Sequence, residues 1–139
     1  NKRTLEVGSL NVNGSVRQFF SDDYIGIDNR SGIGVDKVMN AQSLKFEDKS
    51  FQIVISTEML EHDPQFWLSL KEMGRVLMND GHLILTARGN GFEEHGFPND
   101  YYRFMPNSFN VLFELADCKP IEIISDQQYS GFFGIGRKQ

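Results

Sequence analysis

Cysteine is almost absent from this chain: Cys118 stands alone among 139 residues. A single cysteine excludes an intrachain disulfide framework and fits a reducing, cytoplasmic compartment. It falls at an expected helix end, where free cysteine usually serves as a small buried hydrophobe rather than a nucleophile. Long apolar runs are missing too. Nothing approaches the ~20 residues that span a bilayer, no signal peptide is visible, and no membrane partner is expected. Basic charge is in short supply, with 14 Lys and Arg against 19 Asp and Glu and a net charge of −5. General nucleic-acid binders carry a basic face, so nucleic acid is not expected as a partner. Linkers, internal repeats and low-complexity tracts are also lacking, which leaves a single domain, 1–139, as the expectation for this length.

Phenylalanine, by contrast, is plentiful at twelve, which points to aromatic packing in the core or around a ligand. Strands are expected at Thr4–Val7, Tyr24–Asp28, Lys37–Met39, Phe51–Ser56 and His82–Ala87, with Lys119–Ser125 and Phe132–Arg137 as a closing pair. A helix is expected over Gly14–Phe20, followed by a Ser21-Asp22-Asp23 turn. Asp63-Pro64 reads as a helix start, an N-cap followed by proline. Phe66, Leu70, Met73 and Leu77 then build one apolar face before Asn79-Asp80-Gly81 ends that helix. Pro106 opens another helix, with Phe109, Leu112, Phe113 and Ala116 on one face, and the long irregular stretch Gly89–Phe104 precedes it. A loop of that length in a compact domain is usually functional. The alternation implies an α/β fold, a doubly wound, mostly parallel sheet with helices on both faces. Ligands of such sheets bind outside the carboxyl ends of the strands.

The first strand runs straight into a glycine-containing loop, Gly8-Ser9-Leu10-Asn11-Val12-Asn13-Gly14. A phosphate-binding loop needs Lys and then Ser or Thr after its second glycine, but Gly14 is followed by Ser15-Val16. A dinucleotide site needs G-x-G-x-x-G, and the middle glycine is missing here. S-adenosylmethionine (SAM) carries no phosphate. It asks for flexible backbone near its amino-acid tail, a carboxylate for its ribose hydroxyls and an apolar slot for adenine. Gly8 and Gly14 supply the first, Asp28, twenty residues after Gly8, the second, and Ile27, Ala41 and Leu60 the third. The plainer alternatives are turn geometry for the glycines and a strand-end cap for Asp28.

At this point the residues resemble a known family, the class I (Rossmann-like) SAM-dependent methyltransferases, with the bacterial small-molecule or glycan-associated branch the nearest likeness. Leu5-Glu6-Val7-Gly8 is similar to the family's first motif, and Tyr24-Ile25-Gly26-Ile27-Asp28 to its second, with the ribose-binding acid. Asn40-Ala41-Gln42 resembles the adenine-facing segment, Phe51–His62 the fourth strand and its loop, and Arg75-Val76-Leu77 with Asp80–Leu83 the approach to the fifth. Leu10 stands where the family's second loop glycine is usual, and Asn40 where an acid is commoner. The resemblance implies a seven-stranded sheet with its last strand antiparallel, and SAM as cofactor. It places Glu6, Gly8, Ser9, Asn13, Gly14, Asp28, Asn29, Asn40, Ala41, Gln42, Thr57 and Met59 around that cofactor. The family's leading helices, which often cover the pocket, are absent from these residues. The first strand begins almost at once, so a preceding segment of the protein is expected.

A methyl acceptor that is a hydroxyl must lose a proton, and His95, inside the long loop in Glu94-His95-Gly96-Phe97-Pro98, is the better candidate base, with His62 the second. His82, at a strand entrance, reads as structural. Tyr101 and Tyr102 could wall an acceptor and Arg103 could grip a carboxylate or phosphate. The competing reading has these residues pinning the loop to the core. Glu58, Glu61, His62 and Asp63 include metal-ligand types, but nothing in their spacing fixes a geometry, and a solvated polar loop without metal is the expectation. The overall expectation is a methyltransferase acting on a small-molecule or saccharide-type acceptor. The alternatives are a catalytically inactive cofactor-binding or docking domain, and a dinucleotide-dependent oxidoreductase.

Overall fold

Thr4–Val7 forms strand β1, buried along its whole length even at the polar Thr4 and Glu6. It sits in a sheet with β2 (Tyr24–Asp28), β3 (Lys37–Val38), β4 (Phe51–Thr57), β5 (Leu77–Arg88), β6 (Cys118–Asp126) and β7 (Gly131–Lys138). These are the elements of a computed structural model that describes residues 2–20, 22–96 and 99–139. The seven strands run in the order β3-β2-β1-β4-β5-β7-β6. The pairs from β3 through β5 are parallel, and β7 lies antiparallel between β5 and β6. The sheet is therefore mixed, with a closing hairpin on a parallel body. The chain leaves β1 toward β2 and β3 and returns on the other side at β4, which creates a switch point at the carboxyl ends of β1 and β4.

Register decides what each face carries. Leu5, Val54, Leu83 and Gly136 lie side by side, as do Glu6, Ile55, Ile84 and Ile135 on the opposite face. The first face meets α1 (Phe66–Val76) and α2 (Ser108–Leu115), which touch each other as well as the sheet. Leu70, Met73, Phe109 and Phe113 are fully buried there, each side chain contributing about 1.5–3 kcal/mol relative to exposure. Gly134 of β7 makes room for the Phe113 ring, since a Cβ there would lie 2.8 Å from it.

Several local expectations give way to packing. Among the described residues α1 and α2 pack together on one face of the sheet. Within Gly14–Phe20 only Arg17–Phe19 is helical, as a 3-10 turn, because this segment has no apolar stripe to bury and Phe19 is 76% exposed. Asp63 and Pro64 precede α1 without entering it; the helix starts at Phe66, and the Asp63 carboxylate accepts from the Gln65 N–H at 2.9 Å. The same helix ends at Val76, not at Asn79-Asp80-Gly81, since Leu77 is drawn into the sheet against Phe51. The Asn-Asp-Gly turn chemistry is spent on an irregularity inside β5, where Asp80 has φ 63° and the pairing slips between Phe51 and Ile53. The 89–104 stretch is a loop as expected, closed at its ends by a Gly89–Phe104 bridge. Ser21 in the expected turn and Phe97 and Pro98 in that loop lie outside the described residues. Cys118 is buried at the start of β6, and burial pushes its thiol up to about 11. No helix among the described residues is long and apolar enough to cross a membrane.

Candidate functional site

The carboxyl edge of the sheet opens into a cavity of about 810 Å³, lined by the loops after β1, β2, β3, β4 and β5, a size that suits a small-molecule ligand. Glu6, Gly8, Ser9, Asn13, Gly14, Asp28, Asn29, Asn40, Ala41, Gln42, Thr57 and Met59 all line it, together with His62 and His95. Tyr101, Tyr102 and Arg103 do not belong to that lining.

The β1 loop is shaped by its backbone. Gly8 has φ +85°, and a Cβ there would sit 2.7 Å from Met59 Cγ, so glycine alone lets the loop lie against the β4 loop. The Gly8 and Ser9 amides both donate to the Ile27 carbonyl at 2.9 Å, folding the loop over the end of β2. Ser9 Oγ turns toward β2, where a Cβ on Gly26 would lie 2.6 Å from it. Asn11 Oδ1 accepts the Gly14 N–H at 2.9 Å, an Asx turn that sets the far end of the loop. Asp28 ends β2 with its carboxylate steered by the Leu10 N–H at 3.3 Å and the Arg30 N–H at 3.0 Å. Those two contacts leave further lone pairs for ligand hydroxyls. Glu6 is 5% exposed and accepts the Tyr24 hydroxyl at 2.8 Å. Burial raises its carboxyl above the usual range, while the Tyr24 hydrogen bond pulls the other way.

The Asn40-Ala41-Gln42 wall is fastened from two sides. Gln42 Nε2 donates to Asp63 Oδ1 at 2.7 Å. From α1, Glu72 accepts the Leu44 N–H at 2.8 Å and Arg75 donates to the Leu44 and Phe46 carbonyls at 3.0 and 2.9 Å. Ile27 and Ala41 line the cavity, whereas Leu60, expected beside them, is fully buried in the core.

The other end of the cavity is polar and bordered by the long loop. Tyr101 and Tyr102 donate their backbone N–H groups to the Glu61 carbonyl at 2.8 and 3.2 Å, which ties the loop to the turn Leu60–His62. Tyr102 packs on Phe66 with ring centroids 5.0 Å apart and donates its hydroxyl to the Pro64 carbonyl at 2.8 Å. The Arg103 guanidinium grips both oxygens of Asp100 at 2.6 and 2.5 Å and also reaches the Phe92 and Glu93 carbonyls. That pairing holds the Asp100 carboxyl well below the usual carboxylate range. The Tyr102 and Arg103 contacts are those of a loop pin, the second of the two roles that the sequence left open.

His62 and His95 meet edge to face, ring centroids 4.7 Å apart, although 33 residues separate them. Glu61 lies beside them with no side-chain exposure, so it is not part of a solvated loop. Burial first, then the neighbouring Glu58 carboxylate, raises its carboxyl far above the usual range. Sequence reasoning missed Arg88 as a cavity residue; it is the last residue of β5 and pairs with Glu58 at 2.9 Å. Its alternation with Ala87 along a strand that ends at the cavity was the available signal.

A family model described as a methyltransferase domain matches residues 17–85. Over that segment the chain is similar to methyltransferase domains, and its fold is that of the class I SAM-dependent methyltransferases. It is 36% identical over 100 residues to a phthiotriol/phenolphthiotriol dimycocerosates methyltransferase of Mycobacterium ulcerans, covering 61% of this chain and 37% of that protein. It is 35% identical over 100 residues to a fatty-acid O-methyltransferase of Mycolicibacterium smegmatis, covering 61% of this chain and 36% of that protein. The matched part thus amounts to little more than a third of either curated relative. A SAM-dependent methyltransferase structure from Thermotoga maritima shares the fold, with a TM-score of 0.81 at 15% identity over 100% of this chain and 83% of the other.

The family's cofactor can be tested against the donors present. Both arginines of the lining are ion-paired, Arg30 with Asp28 at 3.9 Å and Arg88 with Glu58 at 2.9 Å. A pyrophosphate would therefore meet carboxylates and committed cations. A phosphate-free nucleoside with hydroxyls and a positive sulfonium meets acceptors instead. S-adenosyl-L-methionine fits the donors and acceptors of this pocket.

Proposed function

We propose that this domain transfers a methyl group from SAM to an oxygen or nitrogen atom of a small-molecule acceptor, saccharide-type acceptors among them, in a reducing, cytoplasmic compartment. The observation that carries the reading is the shared cavity: Asp28 and the Gly8–Gly14 loop line it together with His62 and His95. When bound, SAM supplies an activated sulfonium methyl group. Asp28 accepts the ribose hydroxyls, the Gly8–Gly14 backbone meets the amino-acid tail, and the clamped 40–42 segment faces adenine. Holding an acceptor in line with the methyl group can supply several kcal/mol of barrier reduction. His62 and His95 stand at the acceptor end of the cavity, where they govern the acceptor's proton. The fatty-acid O-methyltransferase among the relatives favours an oxygen acceptor.

Isothermal titration with S-adenosylhomocysteine, with NAD as a parallel control, tests the pocket. Micromolar binding of S-adenosylhomocysteine alone is expected, followed by turnover of labelled SAM with a panel of hydroxylated and carboxylated acceptors. Tight NAD binding instead would favour oxidoreductase chemistry. Binding of S-adenosylhomocysteine without turnover of any acceptor would favour the second reading, a cofactor-binding or docking domain.

A further inference from the structure

We propose that Glu61, His62 and His95 form a binding site for a divalent transition-metal ion at the acceptor end of the cavity. Its catalytic role rests on the methyl-transfer reading; its existence does not. One ligand atom from each of the three residues lies within 4.8 Å of the others. The three come from two separate segments, the turn after β4 and the long loop after β5, which the Tyr101 and Tyr102 amides hold together at the Glu61 carbonyl.

Glu61 provides the first argument. Its side chain is 0% exposed, and neither carboxylate oxygen has a hydrogen-bond partner among the described residues. A buried carboxyl whose oxygens lack hydrogen-bond partners is costly, and a metal ion that displaces its proton and takes those oxygens as ligands would satisfy it. The histidines provide the second. His62 Nδ1 lies 2.6 Å from the Asn99 carbonyl oxygen, which can only accept, so Nδ1 carries the proton and Nε2 the lone pair. His95 Nδ1 lies 3.2 Å from Asp100 Oδ2, which fixes the same tautomer, and its Nε2 lies 3.9 Å from Glu61 Oε1. Metal-bound histidines are typically held in this way, the distal ring N–H given to a carbonyl or carboxylate. Asp100 is in turn immobilised by Arg103.

Two imidazoles and one carboxylate suit Zn²⁺, Fe²⁺, Co²⁺ or Mn²⁺ better than Ca²⁺ or Mg²⁺, which prefer all-oxygen shells. Ligands about 2.0–2.2 Å from such an ion need the three side chains to draw in by roughly an ångström. The set leaves coordination positions open to an acceptor's oxygen. A hydroxyl held there releases its proton to solvent. Its oxygen bonds to the methyl carbon as the carbon–sulfur bond breaks, the electron pair staying on sulfur. The products are a methyl ether, S-adenosylhomocysteine and one proton.

The test is titration of the chelator-treated full chain with Co²⁺, read by calorimetry and by visible d–d absorption, with S-adenosylhomocysteine titrated in parallel. One equivalent of Co²⁺ is expected, with new visible bands. The isosteric Glu61→Gln and the part-exposed His95→Gln are expected to lose those bands while still binding S-adenosylhomocysteine, which shows that they are folded. Asp100→Asn is expected to weaken Co²⁺ roughly 10- to 100-fold by loosening His95. Wild type that binds S-adenosylhomocysteine but no Co²⁺, or variants that bind Co²⁺ as tightly as wild type, would overturn the site. Co²⁺ binding without S-adenosylhomocysteine binding would leave the metal site standing and remove the cofactor reading instead.

Discussion

Gln42 and Asp63 are joined by a 2.7 Å hydrogen bond from Nε2 to Oδ1, and both residues line the cavity. Asp63 also accepts the Gln65 N–H at 2.9 Å and the Ser69 hydroxyl at 2.5 Å, so one buried carboxylate fixes the approach to α1 and holds the 40–42 wall against it. Replacing it strands the buried Ser69 hydroxyl and releases the part-buried Gln42 amide and the exposed Gln65 N–H. Asp63→Ala is expected to cost about 2–3 kcal/mol in urea unfolding, because unsatisfied buried groups keep their full desolvation penalty. It is also expected to weaken S-adenosylhomocysteine binding, whereas Ser69→Ala should lower stability alone.

Asp28 is the residue on which the cofactor reading turns. Its two backbone contacts hold the carboxylate at the cavity wall without exhausting its acceptor capacity. Charge-assisted hydrogen bonds are worth roughly 1.5–3 kcal/mol each. Asp28→Ala is therefore expected to weaken S-adenosylhomocysteine at least ~10-fold by calorimetry. Equal affinity in that variant would mean that the ribose lies elsewhere.

The parallel body of the sheet was legible because short apolar-rich segments bounded by turn residues mark its strands, as Tyr24–Asp28 and Phe51–Thr57 do. The gathering of the residues assigned to the cofactor into one cavity was legible for a related reason: they follow directly on strand ends, and sequence position alone sends them to one edge. The acceptor half was not. Glu58–Asp63 reads as a polar surface loop, and only the long loop folding back onto the Glu61 carbonyl buries Glu61. No periodicity brings His62 and His95 together across 33 residues. Turn chemistry also misled: Asn79-Asp80-Gly81 has the residues of a helix stop, but the burial of Leu77 beside Phe51 outweighed it.

The crossing of α1 and α2 depends on Gly74. A methyl group there would collide with the backbone of Ala116, which cannot swing aside as a flexible side chain could. Alanine favours helix over glycine by about 1 kcal/mol, so propensity and packing oppose each other at this position. Overpacking against backbone costs typically 1–3 kcal/mol or more, and packing should win. Gly74→Ala is expected to lower the thermal unfolding midpoint, by roughly 3–4 °C per kcal/mol for a domain of this size. A rise in the midpoint would show that the two helices can separate without loss.

The Glu72–Arg75 clamp on the 44–48 segment should make stability depend on pH. The Arg75 guanidinium, hydrogen-bonded at 2.8 and 2.9 Å, lowers the Glu72 carboxyl below its ordinary value of 4.5, and the Leu44 N–H adds to the effect. A carboxyl depressed in the folded state favours folding when both states are ionised, and that advantage disappears as the folded group takes up its proton. Wild type should therefore exceed Glu72→Gln by about 1 kcal/mol in urea unfolding at pH 6–8. The gap should narrow below about pH 4.5 and close once Glu72 is protonated in the folded protein. Because the same clamp anchors the 40–42 wall, S-adenosylhomocysteine affinity in Glu72→Gln should fall along with stability at neutral pH. A gap that stayed constant from pH 7 to pH 3 would mean that the Glu72 charge contributes nothing and that only the shape of the side chain holds the loop.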